Sequence, residues 1–188
     1  VKAWPVRAVA FALIALLVVA CSQGLALGDY VDEMEAATDA YITESQGLSV
    51  DYQGTVEDAV RALVASGVDD PEAEAVDLVR IETVRYLALL TDAMERYRFA
   101  IEDIEPTGAI AADHDAYVAA VALVVDSLPQ TRDSVERASS FEEIQLALAS
   151  SGFADGQLRW TAACTDVEQA VRDEGRGLDL RCVVQVTP

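Results

Sequence analysis

The one histidine, His114, sits in a stretch reading Asp113-His114-Asp115-Ala116-Tyr117, with an acid on either side and a phenol three residues on. Acid–base or metal chemistry would have to be organised around it, because no second imidazole exists. Two readings compete. In one, His114 with Asp113, Asp115 and Tyr117 forms a polar ligand site or switch. In the other, His114 packs on a helix face and bonds locally, and this second reading is preferred. A carboxylate-bridged metal bundle needs Glu-x-x-His on two helices, and position 111 is alanine. No Gly-x-Ser-x-Gly elbow is present, and no glycine-rich phosphate loop. The acidic clusters Glu102, Asp103, Glu105 and Glu142, Glu143 fall where helix ends carry charge, and are read as solvated. The sequence thus carries no catalytic or metal-binding constellation and implies no cofactor.

The three cysteines divide into one and two. Cys21 follows an uncharged run of 13 residues, Ala8 to Ala20, itself preceded by Lys2 and Arg7. Positive start, apolar stretch and small residue have the form of an export signal, and the run is short for a bilayer span of about 20 residues. Val18-Val19-Ala20-Cys21 resembles the lipobox of bacterial lipoproteins. That resemblance implies cleavage before Cys21 and a diacylglyceryl group on its sulfur. Residues 1–20 are then a removed signal peptide, 21–28 a lipidated tether and 29–188 a helical bundle domain. A tether of about eight residues spans at most about 28 Å, so the domain stays close to its membrane. Export places Cys164 and Cys182 in an oxidising compartment, where two remaining cysteines pair. Their spacing fits neither CxxC nor a zinc site. The bridge would close a loop of about 17 residues, worth about 3 kcal/mol on the chain-entropy view.

Apolar residues make up 52% of the 188, enough for a core, and the formal charge is −20. Lys2 is the only lysine. Such a surface repels nucleic acid and anionic headgroups, whose binding depends on cations. The acid is read as a solvated, solubilising face, ahead of a basic partner or a cation sink.

Few glycines and prolines among many alanines, valines, leucines and glutamates favour helix. Tyr30, Met34, Ala37 and Tyr41 share one face of a helix over about 29–45. Gly47 to Gly54 reads as a loop, and Thr55 as the cap of a short helix to Ser66, with Asp58 in a variant capping box and a stripe of Val56, Val60, Leu63 and Val64. Asp70-Pro71-Glu72 opens a long helix to about Glu105. Its second half carries a seam of Leu87, Leu90, Met94, Tyr97, Ile101 and Ile104; its first half has a broader face including Val76, Val79, Ile81 and Val84. After the Pro106 turn a second seam follows: Ile110, His114, Tyr117, Val121, Val124, Leu128 and Val135. Two seams joined by a tight turn predict an antiparallel helical hairpin. Pro129 should kink or break its second arm near Val125 to Leu128. A short helix from Ser140 is expected to stop at Gly152, and a last one to start at Asp155 or Gly156, with Trp160, Cys164, Val167 and Val171 on one face. The tail could hold an extended piece, Arg181 to Val186. The fold class is all-α: an antiparallel bundle around a long hairpin, with a disulfide-pinned C-terminal tail. Tyr86, Tyr97, Tyr117 and Trp160 are read as core, and Arg80, Arg85, Arg96 and Arg98 as charge compensation on the long helix.

Lipobox, helical body, the turn Ile104-Glu105-Pro106, the helix with His114-Asp115-Ala116-Tyr117, and the close Leu178-Asp179-Leu180-Arg181-Cys182 together resemble a group of uncharacterised helical lipoproteins from actinobacteria. The resemblance spans most of the chain and implies a helical fold and an envelope address, with no activity attached. The expected function is a lipid-anchored extracytoplasmic envelope protein, non-enzymatic, binding or structural, held to the membrane by Cys21 and free to meet a protein partner. Kept beside it are a small-ligand or cation-binding lipoprotein serving a transporter, and an enzyme with an unrecognised site.

Overall fold

The computed structural model describes residues 25–67, 69–149 and 151–182, and no strand occurs among them. The signal peptide, Cys21 and most of the extended piece expected in the tail lie outside the described residues. Five helices follow one another: α1 Leu27–Ser66, α2 Pro71–Glu102, α3 Ala111–Glu136, α4 Phe141–Leu148 and α5 Ser151–Asp173. Consecutive long helices pack antiparallel, α1 on α2, α2 on α3 and α3 on α5. The two seams read from sequence face each other in the core: Leu87, Leu90, Met94, Tyr97, Ile101 and Ile104 are buried, as are Ile110, His114, Tyr117, Val121, Val124, Leu128 and Val135. No helix of the described residues is long and apolar enough to cross a membrane.

The ends follow the local chemistry. Asp70 caps α2 by accepting from the Ala73 N–H at 3.1 Å, with Pro71 in the first turn. Ser140 accepts from Glu143 N at 3.2 Å, while the Glu143 carboxylate reaches back to the Ser139 N–H at 2.6 Å. Those bonds to Ser139 lower the Glu143 pKa. At the far end of α5, Gly175 takes φ 84° and Arg176 N donates to Val171 O, a left-handed close that turns the chain back.

The structure departs from the sequence expectation at several places. Gly47 to Gly54 is not a loop: α1 is a single helix of 40 residues, and Thr55 lies inside it rather than capping a second one. Each interior glycine costs roughly 1 kcal/mol of helix propensity. Leu48 packs against the core, and Tyr52 bonds Thr83 and meets the Tyr86 ring, which offsets that cost. Gly152 does not stop a helix but stands in the first turn of α5, four residues ahead of the expected start. Phe153 packs on the core there, and Gly156 lets α5 close on α3, since a Cβ at 156 would stand 3.2 Å from Val124 Cγ2. Pro129 does not break α3, which runs through it. The proline removes only the donor to Val125 O, and the buried Val121, Val124, Val125 and Leu128 of the same stretch hold the helix in the core through it. The first helix begins at Leu27, two residues ahead of the expected Asp29, and Leu25 N already donates to Glu105 O.

The helices differ in length, and this shapes the molecule. At 1.5 Å per residue α1 is about 60 Å long and α3 about 39 Å. Arg80 on α2 donates to the carbonyl of Glu136, the last residue of α3, so α3 ends level with residue 80. Beyond that level α1 and α2 continue as a two-helix projection. On α1 no described residue after Ile42 is fully buried, and Val64 is 72% exposed. Ile81, expected on the apolar face of α2, is also exposed.

The tail closes the remaining gap. Leu178 and Leu180, two apart, are both buried. Asp179 N donates to Glu35 of α1, Leu180 N donates to Glu168 of α5, and Arg181 pairs with Asp39. Cys182 is bonded to Cys164 with their Cα atoms 5.5 Å apart, as expected from the sequence.

Candidate functional site

His114 lies in the core, 3% exposed, and its Nδ1 is 3.1 Å from the hydroxyl of Tyr30, which is fully buried. The Ile101 backbone carbonyl acts on the ring electrostatically. With Nδ1 unprotonated the Tyr30 hydroxyl donates to it, so the neutral ring is satisfied at that nitrogen. Burial lowers the His114 pKa, against the opposing pull of the Asp115 charge and the Ile101 carbonyl. Burial likewise raises the Tyr30 pKa, so the hydroxyl keeps its proton.

The four residues named together in the sequence do not converge. Helical spacing turns His114 and Tyr117 inward, leaving Asp113 half-buried and Asp115 exposed. Tyr117 bonds elsewhere. Its hydroxyl is 2.5 Å from that of Tyr97, which in turn is 3.1 Å from Thr38 Oγ1. Tyr41 stacks on Tyr97 at 4.9 Å, and both rings meet Trp160 edgewise or tilted. Trp160 Nε1 is buried without a hydrogen bond of good geometry, though its dipole reaches the Tyr117 hydroxyl. Thr38, Tyr97, Tyr117 and Trp160 come from α1, α2, α3 and α5, so this polar thread crosses all four long helices. Burial holds the Tyr97 and Tyr117 phenols protonated. The thread fixes how the helices sit against one another, since a slip of one turn would leave buried hydroxyls unpaired.

Cys164, Glu168 and Cys182 place their ligand atoms within 4.8 Å of one another. Both sulfurs are spent in the disulfide, and the Glu168 carboxylate accepts from Leu180 N at 2.8 Å, so the group is structural. The arginines of α2 compensate charge as expected: Arg80 with Asp77, Arg85 with Glu82, Arg96 with Glu44 and Arg98 with Glu102.

A groove of about 640 Å³ opens where the projection leaves the four-helix body. Its α2 wall is Thr83, Leu87 and Leu90; Tyr52 of α1, Ile144 of α4 and Phe153 of α5 face it. At its floor Tyr52 and Thr83 share a hydrogen bond of 2.9 Å, with the Tyr86 ring 5.0 Å from that of Tyr52. Burial, then Tyr52, raises the Tyr86 pKa. Sequence reading missed this site because it placed Tyr52 in a loop. The signal was the spacing of Leu48, Tyr52 and Val56, which continues the helical period across both glycines.

No family model, no curated protein and no solved structure matches this chain.

Proposed function

We propose that this is a lipid-anchored, extracytoplasmic envelope protein that acts by binding or as a structural element rather than by catalysis. The observation that carries the non-catalytic part is the state of His114. It is closed in the core, burial lowers its pKa, and its Nδ1 is engaged by the Tyr30 hydroxyl. A general base must reach the proton that it takes, and this ring is committed to its neighbours. Support for the anchor comes from Val18-Val19-Ala20-Cys21 behind an uncharged run. The Cys164–Cys182 bridge suits an oxidising compartment.

On this reading Leu25, held at the α2–α3 turn, stands four residues from the lipidated cysteine, and the far end of α1 lies about 60 Å away along the helix. Labelled palmitate fed to cells making the protein and its Cys21→Ala variant tests the anchor. Label on the parent alone is expected; equal label on both, or on neither, contradicts it. Small-ligand binding is the second reading, and the groove between α1, α2, α4 and α5 favours it.

A further inference from the structure

We infer that this groove is a binding site for a small, uncharged, largely apolar molecule carrying at least one hydrogen-bonding group. The inference deepens the binding reading above and rests on it.

The gap is architectural. α3 ends at Glu136, α5 begins at Ser151, and only the eight residues of α4 cover the stretch where α1 and α2 run on. A four-helix body would have filled this place with side chains. The volume of about 640 Å³ falls within the roughly 300–1,000 Å³ typical of small-molecule sites. It is small for a protein partner: sixteen residues line it, where a stable interface engages about 20–30 a side.

Charge selects the ligand class. In a chain with 24% charged residues and a net charge of −20, none of the lining residues is charged. The nearest arginines of α2 are taken, Arg80 by Asp77 and Arg85 by Glu82. An anion would find no cation in the lining and would cross a repelling field. A cation would find no carboxylate there. Two such acidic surfaces also repel, which disfavours a second copy as the occupant.

Polar atoms fix the orientation. Tyr52 and Thr83 each have one hydroxyl proton, and their mutual bond uses one. Thr83 is buried, so it is the half-buried Tyr52 hydroxyl that can meet a carbonyl, ether or hydroxyl of the ligand. Gln145 and Gln157 add side-chain amides to the lining. Phe141, exposed, and the half-buried Val79, Leu148 and Phe153 supply the apolar contact.

The test uses two probes that differ by one charge: neutral N-phenyl-1-naphthylamine and its anionic sulfonate, 8-anilino-1-naphthalenesulfonate. They are titrated into the exported, anchored protein in nanodiscs of neutral lipid, against empty nanodiscs. Energy transfer from Trp160, one turn beyond Gln157 on α5, reports occupancy, and intact mass tells whether Trp4 has left with the signal peptide. A failed anchor is therefore recorded separately from an empty groove. Saturable one-to-one binding of the neutral probe is expected, with the sulfonate weaker by about tenfold or more. Ala154→Phe should weaken the neutral probe by about tenfold with helicity retained. Val64→Ser, away from the groove, should change nothing. Gln157→Lys should raise sulfonate affinity about tenfold, and it keeps the test decisive if Ala154→Phe misfolds. The inference is overturned by signal that only rises linearly, by equal affinity for both probes, or by a Gln157→Lys protein that ignores the sulfonate. Sedimentation as a dimer whose groove excludes the probe would assign the site to a second copy instead.

Discussion

If His114 is buried and neutral, acidification must destabilise the fold through this one ring. The folded ring holds its proton less tightly than the unfolded chain, whose histidine titrates near 6.5. As pH falls, the unfolded state therefore takes up the proton first. Stability is complete above pH 6.5, is lost as pH falls towards the depressed folded value, and levels off below it. One proton gives a slope of at most about 1.4 kcal/mol per pH unit. No other histidine titrates in this window, and relief of repulsion among the 33 acids sets in lower, near the carboxylate range. His114→Gln isolates the effect, because a glutamine oxygen can accept from Tyr30 without titrating. Tyr30→Phe removes the donor and leaves Nδ1 buried and unpaired, a cost of about 1–3 kcal/mol at pH 7.5. It should also flatten the pH slope, since a bare Nδ1 accepts a proton more readily. The assay is urea unfolding of residues 22–188 from pH 7.5 to 5.0. Equal slopes for the parent and His114→Gln, or no cost for Tyr30→Phe, would refute the reasoning and put His114 in contact with solvent.

Gly47→Ala and Gly54→Ala should each stabilise the protein by about 0.5–1 kcal/mol in the same urea assay, because a Cβ meets nothing within 4 Å at either position and both lie in a helix interior. Gly156→Val should destabilise it by about 1–3 kcal/mol, its side chain colliding with Val124 where α5 crosses α3. Reducing the Cys164–Cys182 bridge should lose about 3 kcal/mol or less, and hydrogen exchange should rise in residues 176–182 before it rises along the α2 and α3 seams.

What could be read from sequence was whatever depends on helical period and side-chain type. The seams of α2 and α3, the inward face of α5 and the pairing of Cys164 with Cys182 all follow from apolar spacing and cysteine count, and the structure has each of them. Glycine misled twice for one reason. Gly47, Gly54 and Gly152 look like breaks, yet a helix clamped by Leu48, Tyr52 and Phe153 absorbs their cost. Seeing α1 as two pieces also hid the groove, which needs Tyr52 on a helix that outruns its neighbours. The Thr38–Tyr97–Tyr117 thread could not be read at all. Periodicity gives a residue's face but not which hydroxyl on another helix stands at its height.

The account stands or falls most directly on the mass of the exported protein. Intact mass spectrometry of material taken from the cell envelope, alkylated without reduction, reads the processing and the bridge together. The expected species is a chain starting at Cys21, carrying a diacylglyceryl group, with no alkylation at Cys164 or Cys182. A chain that keeps residues 1–20, or one beginning elsewhere without lipid, would contradict the anchor, and two alkylated thiols would contradict the bridge.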